Sequence, residues 1–408
     1  MAARAARKRP VEYSILYTAT LCLLAFGAVM VYSASSAESL LSANGDPSFY
    51  LKRYVMCAAL GLVVMHLASR HGLRVVKALT PFLLISSFVL TAAVMLPGVG
   101  VTVNGATRWL GAGPLQFQPS ELLKVSVVLY AAQSLAVRPR ATKTLKGLIN
   151  PVLIVVAVAC LLLLKQPDMG TALVICLAIG TLLIAAGTPV RLLGGIFGTL
   201  VALAILVALV EPYRRERLTS FLDPFSDAGD TGFQAVQALT AIGSGGFFGV
   251  GLGESVQKIF YLPEAHTDMI LAVIGEELGL VGILGVIGLY GMLGYAGLRA
   301  AKMAGDMHSK LLAAGITSLI LCQATLNFFA VLGMAPLTGV PLPFLSYGST
   351  NLVVLMGATG LLLNVAATGG RRARGKPRLE AIDGGRDAQD RDRRGRHGGA
   401  RRAGARGR

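Results

Sequence analysis

Three ionisable side chains, Glu264, His266 and Asp268, stand within five residues in Tyr261-Leu-Pro-Glu-Ala-His-Thr-Asp268. An apolar run begins at Met269 and continues to about Tyr295, interrupted by Glu276 and Glu277. A carboxylate at the mouth of an apolar helix can accept a proton, hold a cation or position a hydroxyl on a ligand that arrives through lipid. His266 and Asp268 at i, i+2 are a weak metal signal, since two side chains supply only part of a ligand set. Thr267 or Asp268 is equally an N-cap for the helix that follows, and on residue types alone capping is the leading reading. Glu276 and Glu277, two turns further in, either hold that helix in a bundle or line a cavity with Asp268.

Other polar residues interrupt apolar stretches. Glu121 and Lys124 are three apart and share a helix face. They form either a structural ion pair or the lining of a polar path, the usual meaning of charge within an apolar span. Arg108 precedes Trp109, the only tryptophan. The pair is either an interfacial anchor or a grip on a phosphate with an aromatic face for a sugar. Asp168, in Lys165-Gln-Pro-Asp168, is placed to cap the helix after it. Arg214, Arg215, Arg217 and Lys258 bring positive charge to one long connection, as an anionic ligand or simple solvation would require. The glycines of Gly243-Ser-Gly-Gly246 and Gly249-Val-Gly-Leu-Gly253 lack the strand–turn–helix setting of a nucleotide loop; close backbone packing explains them better. The five cysteines (22, 57, 160, 176 and 322) lie in apolar runs with no C-x-x-C spacing and read as small buried hydrophobes.

The elements that must position these residues are membrane helices. Of 408 residues, 54% are hydrophobic and 14% charged, against roughly 25% charged in soluble domains. A bilayer span needs about 20 mostly apolar residues. The predicted spans are 14–34, 51–68, 78–96, 119–136, 149–164, 171–186, 189–210, 270–298, 311–332 and 344–367. The expected fold is therefore an all-α polytopic membrane protein of about ten transmembrane helices. The first span is too long for the apolar core of a cleaved signal and is taken as an anchor. Basic clusters at Arg70, Arg74 and Lys77, at Arg138 to Lys146, and at Arg299 to Lys310 fall on the same side as both basic termini. The positive-inside rule makes that side cytoplasmic. The other side carries one large extracellular loop, 211–268, between helices seven and eight. Residues 1–13 form a basic N-terminal tail, 14–368 the transmembrane domain, and 369–408 a basic tail with 14 Lys or Arg against 5 Asp or Glu. That tail has the composition of a disordered segment. Both tails suit anionic lipid rather than nucleic acid.

Several segments, in order, resemble the SEDS proteins (shape, elongation, division and sporulation). They are Asn104-Gly-Ala-Thr-Arg-Trp109, Gln118-Pro-Ser-Glu121-Leu-Leu-Lys124, Gln166-Pro-Asp-Met-Gly-Thr171 and Arg217-Leu-Thr-Ser-Phe-Leu-Asp-Pro224. Gly251-Leu-Gly-Glu-Ser-Val-Gln-Lys258, Leu262-Pro-Glu-Ala-His-Thr-Asp268, Ile274-Gly-Glu-Glu-Leu-Gly279 and Leu342-Pro-Phe-Leu-Ser-Tyr-Gly348 follow. The resemblance covers about 14–367. Ala265 and Glu276–Glu277 look more like the division and sporulation branch (FtsW and SpoVE) than the elongation branch (RodA). Ser349 departs from the family's usual second glycine, a change expected to touch only packing of the last helix.

The resemblance implies a peptidoglycan glycosyltransferase of the bacterial plasma membrane, acting at the division septum. It would polymerise lipid II into a nascent glycan strand at the outer face. A class B penicillin-binding protein and other divisome membrane proteins would be its partners. The family's essential acid falls on Asp268. The donor's leaving group is a lipid pyrophosphate, which needs charge neutralisation more than a general acid; the acceptor, a sugar 4-hydroxyl, needs a base. One carboxylate with cations therefore suffices, and transfer should be direct and inverting. Asp268 is the expected base or, alternatively, a ligand for Mg or Mn. Arg108, Lys124, Arg217 and Lys258 are expected at the pyrophosphate, with Trp109, Glu121, Glu264 and His266 as binding or positioning groups. A helix N-terminus would weaken Asp268 as a base, whereas burial would strengthen it. The rival readings are a lipid II flippase or transporter and a non-catalytic divisome scaffold.

Overall fold

A computed structural model describes residues 10–41, 45–103, 106–112, 115–210, 221, 223–225, 229, 232–259 and 261–374. Both terminal tails' charged ends and most of 211–231, Arg214, Arg215 and Arg217 included, lie outside the described residues. Among the described residues the helices longer than ten residues are α1 (Val11–Leu41), α2 (Phe49–Ala93), α3 (Pro119–Val137), α4 (Ile154–Lys165) and α5 (Met169–Ala185). They continue with α6 (Val190–Val210), α7 (Phe233–Gly245), α8 (Ile270–Lys302), α9 (Met307–Val331) and α10 (Ser349–Arg374).

Among the described residues, seven segments are long and apolar enough to cross a membrane: α1, two within α2 (Phe49–His71 and Leu73–Ala93), α3, α8, α9 and Ser349–Gly369 of α10. Three shorter apolar helices, α4, α5 and Val190–Leu203 of α6, fall at the remaining predicted spans. Both ends of α2 meet the same end of the bundle. Tyr54 donates to the carbonyl of Phe344, and the Thr91 carbonyl accepts from Gln166. A straight 45-residue helix would run about 67 Å, too long to bring both its ends to one end of the bundle, so α2 does not run straight.

Local chemistry sets the helix starts. Pro119 opens α3 at a position where the missing N–H costs nothing. Asp306 accepts from the Ser309 amide at 3.1 Å and caps α9. Before α2, Lys52 and then Ser48 hold the Asp46 carboxyl down to about 2.

Two features depart from the all-helical expectation. Residues 100–117 form a three-stranded antiparallel sheet, β1 (Gly100–Val103), β2 (Ala106–Ala112) and β3 (Leu115–Phe117), with Val101 opposite Trp109 and Leu110 opposite Phe117. Its signal was present: Val and Thr alternate before Asn104-Gly105, a strong hairpin pair. The last helix begins at Ser349 rather than Phe344. Leu342–Gly348 is a turn in which Ser346 accepts from the Leu342 amide at 2.8 Å. Tyr290 donates to the Pro343 carbonyl.

α8 is broken at Gly279, where φ is +65°. The carbonyls this exposes, on Glu276 and Glu277, accept the amides of Val250 and Gly251 at 2.9 and 3.1 Å. Beyond the break, Leu280 and Val281 donate to Gly246 and Phe247 at 3.0 and 3.2 Å. Residues 246–251 thus lie against α8 some nine residues, about 13 Å, below its start. Irregular backbone at that depth is tolerated only when its polar groups are met within the protein, and here the two broken elements satisfy each other. The glycines weighed as a nucleotide loop are the ones that let this happen. Gly249 has φ +80°, and a Cβ there would strike the Glu277 carbonyl.

Gly249→Ala should therefore add overpacking to left-handed strain and destabilise by about 2–5 kcal/mol. Gly246→Ala (φ +54°, ψ −140°, open space around its Cβ position) should cost only the strain, about 1–3 kcal/mol. Thermal unfolding in detergent checks this; equal losses would refute the close-packing explanation.

Candidate functional site

The connections at 100–118, 166–168, 246–268 and 338–348 meet at one end of the bundle. Asp268 sits there, half-buried. The chain before it turns at Glu264, whose φ is +56°. The Glu264 carbonyl accepts the amides of Thr267 and Met269 at 3.1 and 3.3 Å. The Thr267 hydroxyl reaches the Glu264 carboxylate at 2.7 Å and Asp268 Oδ1 at 3.3 Å. This turn overturns the capping reading: the N-cap of α8 is Met269, and no side chain caps the helix. Thr267 and Asp268 serve the turn instead.

Asp268 is held from α9. Asn327 Nδ2 donates to the Asp268 carbonyl at 2.7 Å and to the Val340 carbonyl at 2.9 Å. The Asp268 carboxylate faces Gly339: Oδ2 is 3.8 Å from where a Cβ on that residue would lie, and Gly339 has φ +66°. One turn earlier on α9, Gln323 donates to the Pro341 carbonyl at 2.8 Å and accepts from Lys124 Nζ, also at 2.8 Å. Lys124 is paired with Glu121 at 2.9 Å, and both side chains are almost wholly buried. The 338–341 strip therefore joins Asp268 to the Glu121–Lys124 pair. Sequence reasoning passed over Gln323 and Asn327, although two amides four apart in an apolar span were a readable signal.

Asp168 does cap α5, accepting from the Thr171 amide at 3.2 Å, and it interacts electrostatically with Glu121. Arg108 Nε donates to the Gln166 carbonyl at 3.0 Å, and its Nη2 donates to Pro167. Arg108 on β2 thus stands beside Asp168, while Trp109, the next residue on that strand, is half-buried. His266 is buried between Tyr50 and Tyr347, with ring centroids 4.2 and 5.7 Å away, and its Nδ1 is 3.5 Å from Glu38. Glu264 is exposed.

Lys258 belongs to a different cluster. Its ammonium meets Glu277 at 2.7 Å, the Gly253 carbonyl at 2.6 Å and the Ser33 hydroxyl at 3.2 Å. Glu276 accepts from Ser255 Oγ at 2.5 Å and from the Val256 amide at 3.0 Å. Of the two roles open to Glu276 and Glu277, the structure gives them that of fastening α8 to its neighbours. Above Lys258 lies a groove of about 430 Å³ walled by Val29, Tyr32, Leu40, Leu252 and Ile259. Among the described residues no three His, Cys, Asp or Glu side chains converge as a metal-binding group.

Apolar helices enclosing buried ion pairs, with broken elements satisfied internally and a carboxylate over a glycine strip at one end, define a multi-pass membrane protein with a built polar site. The family model for FtsW, RodA and SpoVE, described as cell cycle protein, matches residues 14–369, and the chain belongs to that family. It is 41% identical over 346 residues to the "Probable peptidoglycan glycosyltransferase FtsW" of Geobacter sp. (strain M18), covering 84% of this chain and 94% of the relative. It is 37% identical over 354 residues to the stage V sporulation protein E of Bacillus subtilis, covering 86% and 96%. A solved structure described as "Structural coordination of polymerization and crosslinking by a peptidoglycan synthase complex" matches with a TM-score of 0.70 at 32% identity, covering 89% of this chain and 98% of that one. The rod shape determining protein RodA of Thermus thermophilus matches with a TM-score of 0.63 at 29% identity, covering 89% and 97%.

Breaking the Lys258–Glu277 pair from one side strands a buried charge. Lys258→Met should cost about 3–5 kcal/mol, and adding Glu277→Gln should recover most of it. Detergent melting curves of the singles and the double check this; additive losses would show that the two side chains do not act as a pair.

Proposed function

We propose that the chain is a peptidoglycan glycosyltransferase that polymerises lipid II at the outer face of the plasma membrane during cell division. Ten spans would put both basic tails in the cytoplasm and the Asp268 end outside. The observation that carries this reading is the Asp268 carboxylate facing Gly339, beside a buried polar network, at the end of an apolar bundle of this family. The relatives' names supply the reaction class.

In this reading the acceptor 4-hydroxyl oxygen attacks the donor's anomeric carbon while Asp268 takes the hydroxyl proton. The bond from that carbon to the phosphate oxygen breaks, undecaprenyl pyrophosphate leaves, and the configuration inverts. Lys124 and Lys258 each already have a carboxylate within 3 Å, so Lys124 holds a wall of the site and Lys258 a neighbouring cluster. Arg108, oriented by two backbone carbonyls, and Arg217, outside the described residues, are the cations assigned to the pyrophosphate. Trp109 offers an apolar face to a sugar. A Mg or Mn ion at Asp268 would need oxygens from the substrate to complete its coordination, and no step is routed through one. The partner is a class B penicillin-binding protein, as the synthase complex among the structural neighbours supports.

The break in α8 favours one competing reading, since discontinuous helices also line transporter sites. Purified protein with its synthase partner and fluorescent lipid II separates the two. The native chain should make polymer, and Asp268→Ala should lower the rate at least about 100-fold. Polymer from Asp268→Ala would sink the catalytic assignment. Lipid II crossing vesicle membranes without polymer would favour transport.

A further inference from the structure

We infer that Asn327 is a positioning residue for the reaction at Asp268, an inference that rests on Asp268 being the reacting carboxylate. Asn327 is 2% exposed and lies in the last two turns of α9. Both hydrogens of its amide are used, and on two different segments: the Asp268 carbonyl before α8 and the Val340 carbonyl after α9. Two carbonyl oxygens repel when they face each other, so they share this space only because a two-donor group lies between them. The clamp sets the separation of Asp268 from residue 340 and hence from Gly339, the residue its carboxylate faces.

Gln323 repeats the arrangement one turn away by taking the next carbonyl, Pro341. Two amides on one face of α9 thus take consecutive carbonyls of the glycine-bearing strip, and the second of them is tied to Lys124. Asn327 Oδ1 is buried with no hydrogen-bond partner among the described residues. A leucine of similar size would fill the same space but leave the Asp268 and Val340 carbonyls unmet, which lowers stability. What leucine cannot do is hold the carboxylate's backbone and the strip in one register. A displacement of about 1 Å in a reacting group can cost about 100-fold in rate.

The test uses the full chain with its synthase partner and lipid II. Asn327→Leu should lower kcat about 10- to 100-fold with KM changed less than about threefold, the pattern of a misplaced reacting group. Asn327→Asp keeps the shape and adds a pH readout. The neutral acid can still donate to one carbonyl, whereas the ionised form repels both, so its rate relative to the native chain should fall about tenfold or more from about pH 6 to about pH 9. A pH-independent deficit in Asn327→Asp, or native rates in either variant, would overturn the inference. If Asn327→Leu does not fold, Asn327→Asp decides alone. Asp268→Ala run alongside separates the two claims. If it still makes polymer, the base assignment fails; if it is inactive while Asn327→Leu is fully active, only the positioning role fails.

Discussion

Inside an apolar bundle a polar group has no water to fall back on, and the rest of this structure follows from that constraint. Where α8 breaks at Gly279, the carbonyls of Glu276 and Glu277 would be stranded. The 246–251 segment meets them and is met in return by Leu280 and Val281. Where the chain turns at Leu342–Gly348, Tyr54, Tyr290 and Ser346 take its backbone groups. The 342–348 turn also meets the 261–268 segment, through the Tyr347 amide and the His266 carbonyl at 2.9 Å. The irregular backbone forms one connected framework as a result, and a carboxylate placed in it inherits a fixed position.

Charge obeys the same constraint. Glu121 with Lys124, and Glu277 with Lys258, are buried pairs supported by Gln323 and Ser33. A buried pair stabilises little against an apolar alternative, while either member alone is costly. Such pairs are informative about geometry more than about stability: each fixes which elements must stay together. The first ties α3 to α9 under the 338–341 strip. The second ties the 253–258 turn to α8 just before its break, with α1 alongside. Positive charge that looked available for an anionic ligand is thereby committed at Lys124 and Lys258.

The parts of this fold legible in the sequence are those governed by composition and short-range chemistry. Apolar runs located the helices because length and hydrophobicity alone decide what can cross a bilayer. Asp168 was legible as a cap because the bond it makes is three residues away. Thr267 and Asp268 offered the same local signature and do not cap, because the turn at Glu264 competes for the Thr267 amide and hydroxyl. Lys258 was open to misreading for a related reason. Its partners, Ser33 and Glu277, are 225 and 19 residues away, and charge without knowledge of partners reads as availability. The break at Gly279 was hidden for the opposite reason: glycine is common in membrane helices, and only its bonding to 246–251 distinguishes this one.

The fate of the capping reading bears on the chemistry. A carboxylate that caps a helix spends its lone pairs on backbone N–H groups, which favour its charged form and make it a weaker proton acceptor. Asp268 lies just outside the first turn of α8, whose N-cap is Met269 and carries no side-chain bond. It is therefore anchored by its backbone carbonyl to Asn327, with its carboxylate directed towards Gly339. The Asn327 bond fixes the main chain at Asp268, and the carboxylate, met by Thr267 on one oxygen, turns the other towards Gly339. The capping bonds that would weaken a base are absent at Asp268, and that is the condition the proposed base role needs.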